Sequence, residues 1–231
     1  MKKVLIFLMA SVVLSGVSAQ SDCKMFSQFK KGFKMQMTSY DKNDKVVSAV
    51  DQEVIEVGTE NGDMTATCKI TTDQKEVKGM PENFTSKIRC RNGNIVMSFR
   101  DLMGSKTSFD AIKGMEMKIT GEDVQIPYNL TVGQTLPDNE MTMEMFMETK
   151  PLAKMTFTMK DRMVEKKETI TTSAGTFDCY KITYKMSNTM GMGEENSYAM
   201  WMDKGLTIKT ATTDKKGKSM GYTLMTKLEK P

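Results

Sequence analysis

The sequence predicts a mainly β chain, built as a single antiparallel sheet with few short helices. Three observations lead there. First, apolar residues alternate with polar ones. Phe33, Met35 and Met37 share a side opposite Lys34, Gln36 and Thr38, and Met155, Phe157 and Met159 share a side opposite Thr156, Thr158 and Lys160. This period of two belongs to strands with one apolar and one solvated face. Second, Thr/Val/Ile-bearing runs of strand length recur between clusters of turn residues. Third, strongly helical segments are few. The apolar face is therefore covered by some other part of the chain, closed on itself, or partly open to a ligand.

Taken in order, the elements begin with a leader. "MKKVLIFLMASVVLSGVSAQ" has Lys2 and Lys3, an apolar run from Val4 to about Leu14, and the small-x-small pattern Val17-Ser18-Ala19. That layout is a secretory signal peptide over residues 1–19, and its apolar run is short of the roughly 20 residues a spanning helix needs. Gln20-Ser21-Asp22 lacks the small apolar residues expected before a lipidated Cys23. Residues 20–231 read as a single β-rich domain, exported to the periplasm or secreted and not membrane-spanning.

Within that domain, "FSQFKKGF" (26–33) can begin as a short helix. Strands are expected at 33–40, 45–58, 64–72 and 86–90, with "DKND" as a polar turn between the first two. Asn92-Gly93 marks a hairpin, and "FRDLMG" (99–104) is compatible with one helical turn. After the Pro/Gly-punctuated connector 126–140, strands at 152–160, 163–172, 176–186, 196–203, 206–213 and 220–229 form an antiparallel meander. "SAGT", "DKG" and "DKKGK" are its turns.

Composition excludes several functions. Loss of residues 1–19 leaves 31 Lys and Arg against 29 acids, a net charge of +2 with both signs interspersed, unlike the concentrated basic surface of a nucleic-acid binder. The chain has no histidine, which removes Ser-His-Asp and Cys-His catalysis, His-ligated zinc and imidazole base chemistry. "GMGEE" (191–195) lacks the rest of a nucleotide fingerprint, and "DKNDK" (41–45) lacks the spacing of a calcium loop. Glu194-Glu195 and the pair Glu144 and Glu148 read as surface acids. No catalytic residue, metal site or cofactor is assigned, and the expected protein is not an enzyme. Four cysteines, Cys23, Cys68, Cys90 and Cys179, enter a compartment that permits disulfides. Cys68–Cys90 with Cys23–Cys179 is the first choice of the three possible pairings, which sequence cannot distinguish.

The positive anomaly is 25 methionines, 23 of them after residue 19. In "EMTMEMFMET", Met141, Met143, Met145 and Met147 stand at every second position. Other pairs are Met35/Met37, Met115/Met117, Met190/Met192 and Met200/Met202. Thioethers suit irregular cores and adaptable apolar surfaces, bind Cu(I), or absorb oxidants. Strand alternation favours the core or an apolar ligand.

The segments "DRMVEKKETITTSAGTFDCYKITY" (161–184) and "YAMWMDKGLTIKTATTDKKGKSMGYTLMTKLE" (198–229) resemble a family of exported bacterial proteins of unknown function, the TapB-like proteins. The shared pattern is an R-x-V-x-x-x-E strand, an A-G-T-F turn, a Trp on the next strand, then D-x-x-G-K and a closing strand. "YDKNDKV", "IRCRNGNI" and "IPYNLTVGQTLPD" resemble its other landmarks, so the likeness spans most of residues 20–231. It implies a curved half-barrel, distantly similar to lipoprotein carriers of the LolA/LolB type whose concave face holds acyl chains. The leading expectation is a non-enzymatic exported protein that binds an acyl chain or lipoprotein on a concave face lined by Met141, Met143, Met145, Met147, Met155, Phe157 and Met159. The alternatives are a structural or interaction protein of the cell envelope, with a protein partner there, and a Cu(I)-binding protein.

Overall fold

The computed structural model describes residues 23–73, 83–98, 115–189 and 195–231. The leader, the 99–104 turn and Met190-Gly191-Met192 lie outside them. Among the described residues stand a short 3-10 turn, η1 (Lys24–Ser27), and thirteen strands. The strands are β1 (Lys34–Asp41), β2 (Val46–Glu60), β3 (Asp63–Thr72), β4 (Asn83–Arg91), β5 (Asn94–Met97), β6 (Met115–Gly121), β7 (Val124–Pro127), β8 (Asn139–Met147), β9 (Lys150–Thr172), β10 (Gly175–Asn188), β11 (Asn196–Asp203), β12 (Leu206–Thr213) and β13 (Ser219–Glu229). All thirteen belong to one open antiparallel sheet, in the order β6-β8-β9-β10-β11-β12-β13-β1-β2-β3-β4-β5-β7. β9 through β13 form the expected meander, and β8 extends it by one strand.

Tight turns set much of the register. Asn61-Gly62, Asn92-Gly93 and Lys204-Gly205 each join two strands with both residues at positive φ, the geometry that matches strand twist in two-residue hairpins. Two strands expected separately, 152–160 and 163–172, are one 23-residue strand, β9. Asp161, at φ 54°, makes the irregularity between them. β6 and β7 escaped the sequence reading, because "MEMKITGEDVQIP" carries three acids and a glycine where a strand pattern should run on.

The sheet curls strongly. β9 and β7 lie ten positions apart in strand order, about 48 Å on a flat sheet at ~4.8 Å per strand. Yet Arg162 on β9 donates from Nη2 to the Gln125 carbonyl on β7 at 3.1 Å, and from Nη1 to the Pro137 carbonyl at 2.6 Å and Asn139 Oδ1 at 2.7 Å. β6 and β7, the two sheet edges, are also consecutive in the chain. The bend between them needs Gly121, at φ 121°, where a Cβ would collide with the Glu140 carbonyl. Segment 133–136 runs alongside β9, with Leu136 N–H donating to the Arg162 carbonyl at 2.8 Å and Val164 N–H to that of Gln134 at 2.9 Å.

The curl leaves a hollow that the N-terminal segment fills. Phe26, Phe29 and Phe33 are almost wholly buried, with ring centroids 5.3 and 5.7 Å apart. They pack in one cluster with Val54, Ile95, Ile126, Ile208 and Met225. A Cys23–Cys90 disulfide ties this plug to β4. The expected Cys68–Cys90 and Cys23–Cys179 pairing is therefore wrong, and Cys68 and Cys179 are free and buried. The register explains it. Cys68 faces Ser86, and Cys90 faces Met64, so Cys68 and Cys90 are four residues out of step, ~13 Å along the strand. A disulfide cannot reach that far.

Candidate functional site

The inner face of the sheet carries the apolar side chains that sequence reasoning singled out, and the register brings all seven together. Met143 lies opposite Met155, Met141 opposite Phe157, and Asn139 opposite Met159. Ile119 and Met117 of β6 lie opposite Met143 and Met145, and Met186 of β10 opposite Met159. Directly opposed residues share a face, so these side chains form one patch across four strands. The reverse face is polar, with a Thr142–Thr156 hydroxyl hydrogen bond at 3.0 Å and a Glu144–Lys154 ion pair at 3.2 Å. Met143 and Met155 are buried, while Met141, Met145, Met147, Phe157 and Met159 are half-buried. None of the seven belongs to the cluster built on the phenylalanine plug.

A different part of the inner face is open. Beside the plug lies an apolar cleft of about 290 Å³, lined chiefly by Phe29, Met35, Met37, Phe84, Met97 and Met202. Lys87 and Ser86 also line it. β1 supplies Met35 and Met37 through the alternation that was visible in the sequence. Met202 arrives from β11, far along the chain, and Phe84 and Met97 come from the short strands β4 and β5. That convergence depends on the closing of the sheet, which no local pattern reports. Sharing Ile95, Met202 and Gly205 with the cleft is a second, polar recess of about 570 Å³, lined also by Tyr128, Lys167, Asp178, Tyr180 and Asp203.

The remaining landmarks are structural. Arg162, Val164 and Glu168 occupy the R-x-V-x-x-x-E positions. Arg162 is the seam clasp and Val164 is fully buried. Glu168 Oε1 accepts a 2.7 Å hydrogen bond from Trp201 Nε1, which, with a further bond from Lys166, holds that carboxyl below the usual range. The Trp201 ring is flanked by the Lys181 and Lys209 ammoniums, 5.5 and 4.8 Å from its centroid. Burial lowers the Arg162 pKa, against opposing pulls from Tyr184 and Asp138. Burial also raises the Tyr184 phenol to about 12. The Cys179 thiol is pushed up to about 12, first by burial, and Cys68 is raised for the same reason. Both thiols stay protonated at neutral pH and are poor nucleophiles.

The chain belongs to the DUF3108-like family, whose model matches residues 30–225. It is similar to a crystal structure from Bacteroides fragilis described as an exported protein with a YmcC-like fold. That match has a TM-score of 0.65 and 18% identity and covers 87% of this chain and 97% of the other. A Parabacteroides distasonis structure described as a lipoprotein matches with a TM-score of 0.64 and 18% identity, covering 87% and 96%. At these identities the likeness is one of fold. The similarity to Escherichia coli YmcC, with a TM-score of 0.36 and 8% identity, is too slight to argue from. No curated protein matches the chain. The TapB-like name and the likeness to LolA/LolB carriers are not among these findings.

Proposed function

We propose that this member of the DUF3108-like family is an exported, non-catalytic protein that holds an apolar chain, such as an acyl tail, in the cleft beside the phenylalanine plug. The observation that carries the reading is the cleft itself: an open, mostly apolar recess walled by flexible methionines on one side and fixed by the buried rings of Phe29 and its neighbours on the other. Flexible thioethers adapt to a chain of variable shape. At about 290 Å³ the cleft lies at the lower end of the ~300–1,000 Å³ typical of small-molecule sites, enough for one alkyl chain or its terminal half. Each buried methylene contributes about 0.8 kcal/mol, so a chain of modest length binds without further contacts. Export rests on the signal-like leader and on the descriptions of the two structural relatives. The methionine patch of β8 and β9 is then packing that supports the sheet, and Met141, Met143, Met145, Met147, Met155, Phe157 and Met159 remain the alternative binding surface.

The test is fluorescence displacement with a single-chain alkyl probe on delipidated protein. Met35→Gln and Met97→Gln should each weaken binding about tenfold, the cost of placing an amide without a partner against the chain, whereas Met145→Gln should leave it unchanged. Absence of saturable alkyl binding would overturn the reading. Loss of binding in Met145→Gln alone would move the site to the methionine patch.

A further inference from the structure

The polar recess next to the cleft has a feature that the apolar reading leaves unused. Asp203 closes β11 at the Lys204-Gly205 turn and lines the recess. Its carboxylate is half-buried, yet it makes no hydrogen bond or ion pair with any described residue. Its neighbour Met202 lines both recess and cleft, so a molecule lying in the cleft and emerging past Met202 meets Asp203 next. An unpaired, partly desolvated carboxylate at the mouth of an apolar groove carries an energetic cost that a ligand group can relieve.

We infer that this recess is the head-group seat of the cleft, and that the bound molecule is an amphiphile with an alkyl chain and an ammonium head that pairs with Asp203. The inference rests on the chain-binding reading above and narrows it to a ligand class.

The charges around Asp203 are Lys167, Lys204 and Lys230, with Asp178 opposing them. The three lysines are exposed, so solvent and salt screen them. The Lys167 ammonium is also engaged over the Tyr180 ring, 5.6 Å from its centroid. Asp178 is exposed and accepts a 3.1 Å hydrogen bond from the Thr169 hydroxyl, which leaves it available as a second, weaker anchor. The rings of Tyr128 and Tyr180 complete a wall suited to a cation. Burial raises the Asp203 pKa, with the repulsion of Asp178 adding to it and Lys204, Lys167 and Lys230 pulling against it.

Three probes of equal chain length decide it, titrated below their micelle concentrations: dodecylammonium, dodecanol and dodecanoate. The ammonium should bind about tenfold or more tighter than the alcohol, the contribution of a charge-assisted hydrogen bond, and dodecanoate weakest. Asp203→Asn should erase the ranking while leaving dodecanol affinity and chain-length dependence intact. Lowering the pH should erase it too, at a pH above that of an ordinary aspartate, because protonation removes the anchor. Equal binding of the three probes, or a preference for dodecanoate, would overturn the head-group inference and leave the chain reading standing. Failure of all three to bind would sink both.

Discussion

Two stretches of the same inner face are filled by opposite means. Over β1–β5 and β11–β13, three phenylalanines brought in from the N-terminal segment and tied by Cys23–Cys90 form the centre of a continuous core. Over β6, β8 and β9, methionine faces methionine across the strands, and the patch stands apart from that core. Aromatic rings have few rotamers and fixed shapes, so the plug leaves a cleft with defined walls. Thioethers with three rotatable bonds conform to whatever surrounds them. The difference shows that dense methionine packing and an open cleft are separate features of one face, the cleft lying where a rigid neighbour keeps the face from filling.

The largest effect is expected where the two stretches are clasped together. Arg162 is 2% exposed and satisfies the carbonyls of Gln125 and Pro137 and the side chain of Asn139, although its Nε has no partner among the described residues. Arg162→Ala strips three acceptors of their donor at once and removes a buried side chain, a loss of roughly 3–5 kcal/mol, visible as a large fall in the denaturant midpoint. Arg162→Lys should recover little, since an ammonium cannot span the fork of acceptors. A near-neutral Arg162→Ala would mean that the seam holds without its clasp and that the two stretches are independent.

Next comes a direct contrast. Phe29→Ala should cost about 3–5 kcal/mol and Met155→Ala about 2–3 kcal/mol, since a flexible patch collapses around a missing side chain more readily than a ring stack does. The volume-conserving Met155→Leu should stay under ~1.5 kcal/mol. Equal costs for Phe29→Ala and Met155→Ala would erase the distinction between rigid plug and adaptable patch.

Much of this was legible in the chain. The limits of β11 and β12 coincide with the runs read from Thr/Val/Ile content, and the alternation of Met141 to Met147 placed them on one face. What the sequence did not disclose is everything that depends on closure. The plug segment 26–33 reads as a weak helix because its three phenylalanines serve a distant sheet, not a helical stripe. Cys90 pairs with Cys23 because the plug passes over β4, which no spacing rule encodes. Arg162 looks like one more strand cation until the sheet curls and places Gln125 beside it. The cleft takes Met35, Phe84, Met97 and Met202 from four strands spread along the chain, a convergence that no local pattern reports.

The smallest effect concerns how well the methionine hairpin is specified. Its turn, Glu148-Thr149, has both residues at positive φ, 48° and 73°, like Asn61-Gly62, Asn92-Gly93 and Lys204-Gly205, but without their glycine. A β-branched residue there is strained, by roughly 1 kcal/mol. Thr149→Gly removes that strain, while glycine's greater freedom in the unfolded chain takes some of the gain back. The net result should be a stabilisation of about 0.5–1 kcal/mol and a melting temperature higher by about 2 °C. The reciprocal change, Gly62→Thr at φ 87°, introduces the same strain into the turn between β2 and β3 and should lower the melting temperature by a similar amount. If Thr149→Gly instead destabilises as much as Gly62→Thr, the β8–β9 turn is held by contacts of the threonine side chain. The methionine patch is then as firmly specified as the aromatic plug.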